Sequence, residues 1–217
     1  MMTMTNSTAS DYNFGERPAS TGAVGTGQTA TIGFWQNKNG QNLIKALNGG
    51  ATATQLGNWL AATFPNMYGP TAGANSLAGK TNVQVAVLYT SLFQKSKKDA
   101  ALGGPPKMDA QVMATALAVY VTNQTLAGTT AQSYGFLVTA NGVGTAAFNV
   151  GSNGAAFGVA NNTSVSILDL LLAVDARSFN GVLFDLNHDG FANSALETAY
   201  RQMANDVFTA INQAGGI

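Results

Sequence analysis

The chain has no cysteine, a single histidine and little charge of either sign. The absence of cysteine from its 217 residues excludes disulfides, thiolate metal sites and cysteine nucleophiles. One histidine, His188, excludes a polyhistidine zinc site within one chain. Charged residues make up only 9% of the sequence, and ten Lys and Arg balance ten Asp and Glu. Such a surface lacks an extended basic patch, so we expect no nucleic-acid partner.

Long apolar runs are also scarce. The most apolar stretch, Ser166–Val174, contains Asp169 and is followed by Asp175, whereas a membrane span needs about 18 apolar residues, so we expect no membrane insertion. Residues 1–28 have no continuous apolar core of the kind found in a signal peptide. Gly, Asn, Ser and Thr supply the polarity instead of charge, which is typical of proteins outside the cytoplasm. We expect a secreted or cell-surface protein, either one whose leader was removed or one module of a longer chain.

Two parts of the chain differ in composition. Residues 15–31, GERPASTGAVGTGQTAT, contain too few apolar side chains to offset the entropy of ordering them. The sequence therefore predicts that residues 1–30 are a flexible linker or a vector-derived tail. It predicts a single α-rich globular domain over residues 31–217.

The fold class follows from apolar periodicity. Leu56, Trp59, Leu60 and Phe64 recur at helical spacing, and Ala110–Thr122 carries two adjoining apolar stripes that predict a central helix, with Asp109 as its cap. Further helices are predicted near residues 40–47, 82–98, 164–177 and 194–213. We expect a mainly α bundle of five or six helices, with one β-hairpin and a single EF-hand-like calcium loop before the last helix.

The β-hairpin is predicted over Tyr134–Val150. Apolar and polar residues alternate on both sides of Asn141–Gly142, a pair that tolerates the positive φ angles of a tight turn.

One motif carries chemistry, in the segment Phe184–Glu197, FDLNHDGFANSALE. Its core has the D-x-N-x-D-G spacing of the first half of an EF-hand loop, which directs side-chain oxygens at positions 1, 3 and 5 towards one cation. Gly190 stands at position 6, where the sharp turn needs a residue without a Cβ. The predicted Ca²⁺ ligands are Asp185, Asn187, Asp189, the carbonyl of Phe191, Asn193 and Glu197. His188, at position 4, is predicted to be a surface residue.

Position 12 departs from the EF-hand pattern, because Leu196 stands where a bidentate carboxylate is expected and Glu197 follows one residue later. The loop is one residue longer and closed by Glu197, or another carboxylate completes it, or Glu197 only forms a capping box with Ser194. The other carboxylates considered are Asp169, Asp175 and Asp206. Capping and ligation are compatible with each other.

Two blocks of the chain resemble a known group of domains. Gly33, Phe34, Trp35 and Asn37 form a G-F-W-x-N start, and the loop precedes a final A-I-N-x-x-G-x-I tail at residues 210–217. Together they resemble a domain near the C-termini of large secreted bacterial proteins, and the single loop resembles dockerin-type calcium sites. The resemblance implies an extracellular location and a calcium site, but no reaction.

Aromatic side chains beside amides suggest a sugar site. Trp35 and Tyr68 are candidates to stack on pyranose rings, with Asn37 as a neutral hydrogen-bond partner. The alternative is that Phe34 and Trp35 fasten the first helix to the core.

The function that fits these features is a secreted, calcium-stabilised surface or matrix module with a binding or structural role. Its candidate partners are neutral polysaccharide or another extracellular polymer, a second copy of itself, or a neighbouring surface protein. The alternative is an extracellular polymer hydrolase, glycosidase- or esterase-like, whose acidic pair the sequence does not identify. The sequence favours binding over catalysis without deciding between them. Candidate acids outside the loop are Asp99, Asp109, Asp169, Asp175 and Asp206, with Asp11 and Glu16 in the predicted tail.

Overall fold

The computed structural model describes residues 22–95 and 103–217, and this part of the chain is mainly helical with one two-stranded antiparallel sheet. The helices are α1 (Ile32–Gln36), α2 (Lys38–Ala46), α3 (Gln55–Thr63), α4 (Pro65–Tyr68), α5 (Asn82–Gln94), α6 (Met108–Thr122), α7 (Gln124–Ala127), α8 (Ile167–Asp175) and α9 (Ala195–Ala214). The strands are β1 (Ala147–Asn149) and β2 (Ser164–Ser166). Short 3-10 turns connect several of these elements.

Helix α6 is the centre of the fold. Every one of its residues is buried, and it packs against α1, α5, α8 and α9. Alanines at four of its positions let the neighbouring helices approach closely. The prediction of a central helix is confirmed. The prediction that Asp109 caps it is wrong, because Lys107 is the N-cap residue and Asp109 instead forms ion pairs in the core.

The predicted hairpin has one correct strand and one incorrect strand. Residues 147–149 are extended, but their partner is β2, in the register Ala147↔Ser166. Residues 136–140 form no strand, since residue 139 pairs with the junction of α6 and α7: the Thr139 N–H donates to the Thr122 carbonyl, and the Gln124 N–H donates to the Thr139 carbonyl. Gly142 is required by packing, because a Cβ there would lie 2.8 Å from the Asn123 nitrogen.

Residues 22–30 belong to the folded part, contrary to the predicted domain start at residue 31. Thr29 and Ala30 are buried, and the Ala147 N–H donates to the Gly22 carbonyl. Thr29 also exchanges backbone and side-chain hydrogen bonds with the end of α9, at Ile211 and Gly215. Composition predicted a linker because this segment has few large apolar side chains, but its backbone groups find partners. Residues 1–21 of the predicted tail lie outside the described residues.

Within the described residues, no helix combines the length and apolar character needed to cross a bilayer.

Candidate functional site

The chain approaches the loop through tight turns, not through a helix. Helix α8 ends at Asp175, and Asn180 and Gly181 both adopt positive φ. At Gly181 a side chain would collide with the Ala72 carbonyl, at 2.4 Å from its oxygen. Phe184 is fully buried and its ring lies 6.1 Å from that of Tyr200 on α9. The start of the loop is therefore anchored on the core.

Asp185 organises the first half of the loop. Its side chain is buried, and its two carboxylate oxygens accept from the N–H groups of Asp189 (3.1 Å) and Gly190 (3.0 Å). The Asn187 Oδ1 accepts from the same Asp189 N–H (3.2 Å), so side-chain oxygens at positions 1 and 3 lie beside one backbone group. The side chains predicted as ligands at these two positions are thus brought together.

Asp189 completes the turn from the other side. Its Oδ1 accepts from the Phe191 N–H (2.8 Å), and its Oδ2 accepts from the Asn187 amide (3.0 Å). The oxygens at positions 1, 3 and 5 therefore belong to one continuous hydrogen-bonded turn. Asn187 and Asp189 are exposed, whereas Asp185 forms the buried base of that turn.

Left-handed backbone conformations allow this winding. His188 has φ 60° and Gly190 has φ 87°. Glycine adopts such an angle without steric cost, which is the reason for Gly190 at position 6. The His188 ring is exposed and stacks on Phe179, with ring centroids 4.1 Å apart. His188 is a surface residue, as predicted, and this stack offsets its less favourable backbone.

Glu197 closes the loop from the start of α9. Its Oε1 accepts from the Leu186 N–H and its Oε2 from the Ser194 N–H, both at 2.9 Å, while the Ser194 hydroxyl accepts from the Glu197 N–H. Burial alone would raise the pKa of Glu197, but these hydrogen bonds hold it below its ordinary value. The capping box predicted for Ser194 and Glu197 is confirmed.

The remaining loop positions face outward. Asn193 is exposed, Phe191 is 45% exposed, and Leu196 is 53% exposed at the place where an EF-hand has its final carboxylate. Among the described residues, no three Asp, Glu, His or Cys side chains come close enough together to hold a metal by themselves. Cation binding at this loop would therefore depend on amide, carbonyl and water oxygens as well as carboxylates.

The other carboxylates are engaged elsewhere. Asp175 accepts from the backbone N–H groups of Asn66 and Met67, Asp206 accepts from the Gln202 amide, and Asp169 accepts from the Ser166 hydroxyl. Burial raises the pKa of Asp175 despite its hydrogen bonds. Asp99 lies outside the described residues.

An ion-pair cluster behind the loop was not predicted from the sequence. Arg201, 2% exposed, donates to Asp109 (3.0 Å), to the Leu183 carbonyl (2.9 Å) and to the Gly103 carbonyl (2.7 Å). Lys95 contacts the other oxygen of Asp109. Burial alone would raise the pKa of Asp109, but the two cations lower it. The cluster ties the chain entering the loop to α6 and α9.

The predicted sugar site does not form as expected. Trp35 is fully buried and Tyr68 is 1% exposed, so neither ring has a face available for a sugar. The Trp35 ring packs on Phe136, with centroids 5.5 Å apart, which supports the alternative that it fastens α1 to the core. Asn37 is exposed, and its side-chain oxygen caps α2 by accepting from Asn39 and Gly40.

Comparison with known proteins gives no match to a family model, a curated protein or a solved structure.

Proposed function

We propose that this protein is a secreted, calcium-stabilised module with a binding or structural role at a bacterial surface or in its matrix. The observation that carries the calcium part is Asp185. It is a carboxylate only 1% exposed that no cationic side chain of the described residues neutralises. A buried charge without a counter-ion is costly, and a cation bound at the loop would supply one.

The residues at the loop fit a hard cation. The oxygens of Asp185, Asn187 and Asp189 already share one hydrogen-bonded turn, with the Phe191 carbonyl and the Asn193 amide next along the chain. An all-oxygen set of carboxylates, amides and a carbonyl suits Ca²⁺. Three of the ten acidic residues of this charge-poor chain lie between positions 185 and 197.

Glu197 has a supporting role in this proposal. Its two oxygens hold the Leu186 and Ser194 N–H groups, and so fix the distance between the start of the loop and the start of α9. The carboxylate also interacts with the Ser194 hydroxyl and the Asn187 N–H, and a carboxylate oxygen can accept more than one contact. Capping and ligation therefore remain compatible for Glu197.

Bound calcium would add its binding free energy to the stability of the folded chain, because the ligands assemble only on folding. The structural consequence falls on α9, which the loop, Phe184 and Arg201 join to the core. The extracellular location rests on the resemblance to secreted bacterial domains and on the low content of charge.

Thermal unfolding in millimolar calcium and in excess chelator tests the proposal. We expect calcium to raise the melting temperature of the wild-type protein, and the double substitution Asp185→Asn, Asp189→Asn to abolish that rise. These changes remove charge while keeping a side-chain oxygen for each turn. The matched control is Asp206→Asn, an exposed carboxylate on α9 outside the loop, which should keep the full calcium effect. Equal melting temperatures of the wild-type protein in calcium and in chelator would overturn the calcium proposal.

A further inference from the structure

A cleft on another part of the surface has the chemistry of a small-ligand site. It has a volume of about 320 Å³ and lies between α3, the end of α6, α7 and the start of α8. That volume is at the lower end of the range of about 300–1,000 Å³ for small-molecule pockets, so it suits one ring more than an extended ligand.

Trp59 forms one wall of this cleft. Its indole is partly exposed, in contrast to the other tryptophan of the chain, Trp35. The rings of Phe64 and Tyr120 contact it at 88° and 55°, so neither lies flat on an indole face. No residue of the described chain accepts a hydrogen bond from its N–H, and that atom is not among the buried unpaired groups. Trp59 is thus a firmly held aromatic wall with an available donor.

The rest of the lining is neutral and combines polar and apolar groups. Thr63 and Asn141 line the cleft, and neither side chain makes a hydrogen bond within the described residues. Leu126 and Leu168 supply apolar surface. Among the residues that line the cleft, none is charged. An anionic ligand would find no counter-ion there, and a wholly apolar ligand would leave the amide and the hydroxyl desolvated.

The backbone under the polar rim is fixed. The Asn123 amide donates to the Asn141 carbonyl (3.2 Å), and the Thr122 hydroxyl accepts from the Val143 N–H (2.9 Å). At Gly144 a Cβ would lie 3.0 Å from a methyl group of Val119, so the rim packs directly on α6. The Asn141 side chain is therefore presented from a rigid support, which lowers the entropy lost on binding.

From this arrangement we propose that the cleft binds a neutral sugar ring, whose apolar C–H face packs on Trp59 while its hydroxyls bond to Asn141 and Thr63. An aromatic wall beside neutral amides and hydroxyls matches the two kinds of surface that a pyranose presents. The inference rests on the binding role proposed above and gives it a ligand class and a location. It does not depend on calcium.

The two tryptophans provide the measurement. In ¹⁵N-labelled protein each indole N–H gives one NMR cross-peak, and a Trp59→Phe variant assigns them. We would titrate methyl glucoside, methyl mannoside, methyl galactoside, N-acetylglucosamine and the glucose, mannose and xylose hexamers. At least one of these should move the Trp59 peak saturably and leave the Trp35 peak in place. Tighter binding of a hexamer than of the methyl glycosides would identify a polysaccharide as the source of the sugar ring.

Variants separate a specific site from weak adhesion. Asn141→Ala should weaken binding about tenfold, as expected for one lost hydrogen bond in a desolvated site. Asn39→Ala, at an exposed asparagine on α2 that does not line the cleft, should leave the affinity unchanged. An undisturbed Trp59 peak across the whole panel would overturn the inference, as would tighter binding of cyclohexanol or of glucuronate than of the neutral sugars.

The calcium proposal and this inference can fail separately. Sugar titrations in chelator test only the cleft, while the calcium-dependent melting temperature tests only the loop. A calcium effect without any sugar response would remove this inference alone, and a sugar response without a calcium effect would remove the calcium part alone.

Discussion

The two buried carboxylates Asp109 and Asp185 are stabilised in different ways. Asp109 is held by the cations of Arg201 and Lys95, whereas Asp185 is held by the N–H groups of Asp189 and Gly190. The first arrangement neutralises the buried anion with cationic side chains. The second solvates an anion with dipoles and leaves the net charge in place. The comparison teaches that a buried carboxylate can be stabilised either by cationic side chains in the core or by backbone N–H groups in a tight turn.

Arg201→Met breaks the first arrangement and has the largest expected effect. It leaves Asp109 charged and buried beside only Lys95, and it also removes donors to Gly103 and Leu183. We expect the free energy of unfolding to fall by about 3–5 kcal/mol, measured by urea denaturation. Arg177→Met should cost less than about 1 kcal/mol, because Arg177 makes one long hydrogen bond to a carbonyl.

A double variant tests the cause of that loss. Arg201→Met combined with Asp109→Leu should be more stable than Arg201→Met alone, since it removes a buried carboxylate that has lost its buried partner, and Lys95 is exposed enough to be solvated. Equal or lower stability of the double variant would show that the guanidinium acts through packing and its carbonyl contacts rather than through Asp109.

Glu197→Ala sharpens the comparison on the side of the loop. It removes the acceptor for Leu186 and Ser194 at a site only 1% exposed, and we expect a loss of about 1–2 kcal/mol in chelator. Gln84→Ala removes the matching group of the capping box on α5, where the side chain is exposed. Gln84→Ala should lower the free energy of unfolding by less than Glu197→Ala does. A larger loss for Gln84→Ala in urea denaturation would contradict the bridging role of Glu197.

The smallest effect is a change in pH dependence. The lowered pKa values of Asp109 and Glu197 stabilise the fold at neutral pH, and that contribution is lost as the pH falls below about 4. Asp175 acts in the opposite sense, because its raised pKa favours the folded state as it is protonated. Asp175→Asn should therefore make the free energy of unfolding fall more steeply on acidification. Urea denaturation midpoints measured from neutral to acidic pH check this. An unchanged slope would mean that Asp175 does not oppose the other two groups.

Features set by near neighbours in the chain were predictable from the sequence. Asp185, Asn187, Asp189 and Gly190 interact within five positions, and Ser194 caps α9 three residues before Glu197. The apolar stripes of α6 likewise predicted its central place, because two adjoining stripes require burial on two sides.

Features that depend on distant partners were not predictable. Asp109 and Arg201 are 92 positions apart, and without its partner Asp109 had the pattern of a helix cap. Alternation around Asn141–Gly142 predicted a hairpin, but the backbone of residue 139 bonds to the end of α6 instead of to a neighbouring strand. Trp35 and Trp59 each have one polar and one apolar neighbour in the chain, and only the packed structure distinguishes the buried ring from the one in the cleft.

The hydrogen bonds between Thr29 and Gly215 form a clasp between the two ends of the described chain, and this clasp bears on the order in which the segments fold. Its hydrogen bonds span up to 186 positions, so closing it early would require a very large loop to lose its freedom for little gain. Contacts of such sequence separation form productively only after the intervening helices have shortened the distance. Residues 22–30 should thus dock late in folding, on a surface completed by the last turn of α9. Removal of either residues 22–30 or the end of α9 would leave the other segment without its hydrogen-bond partner.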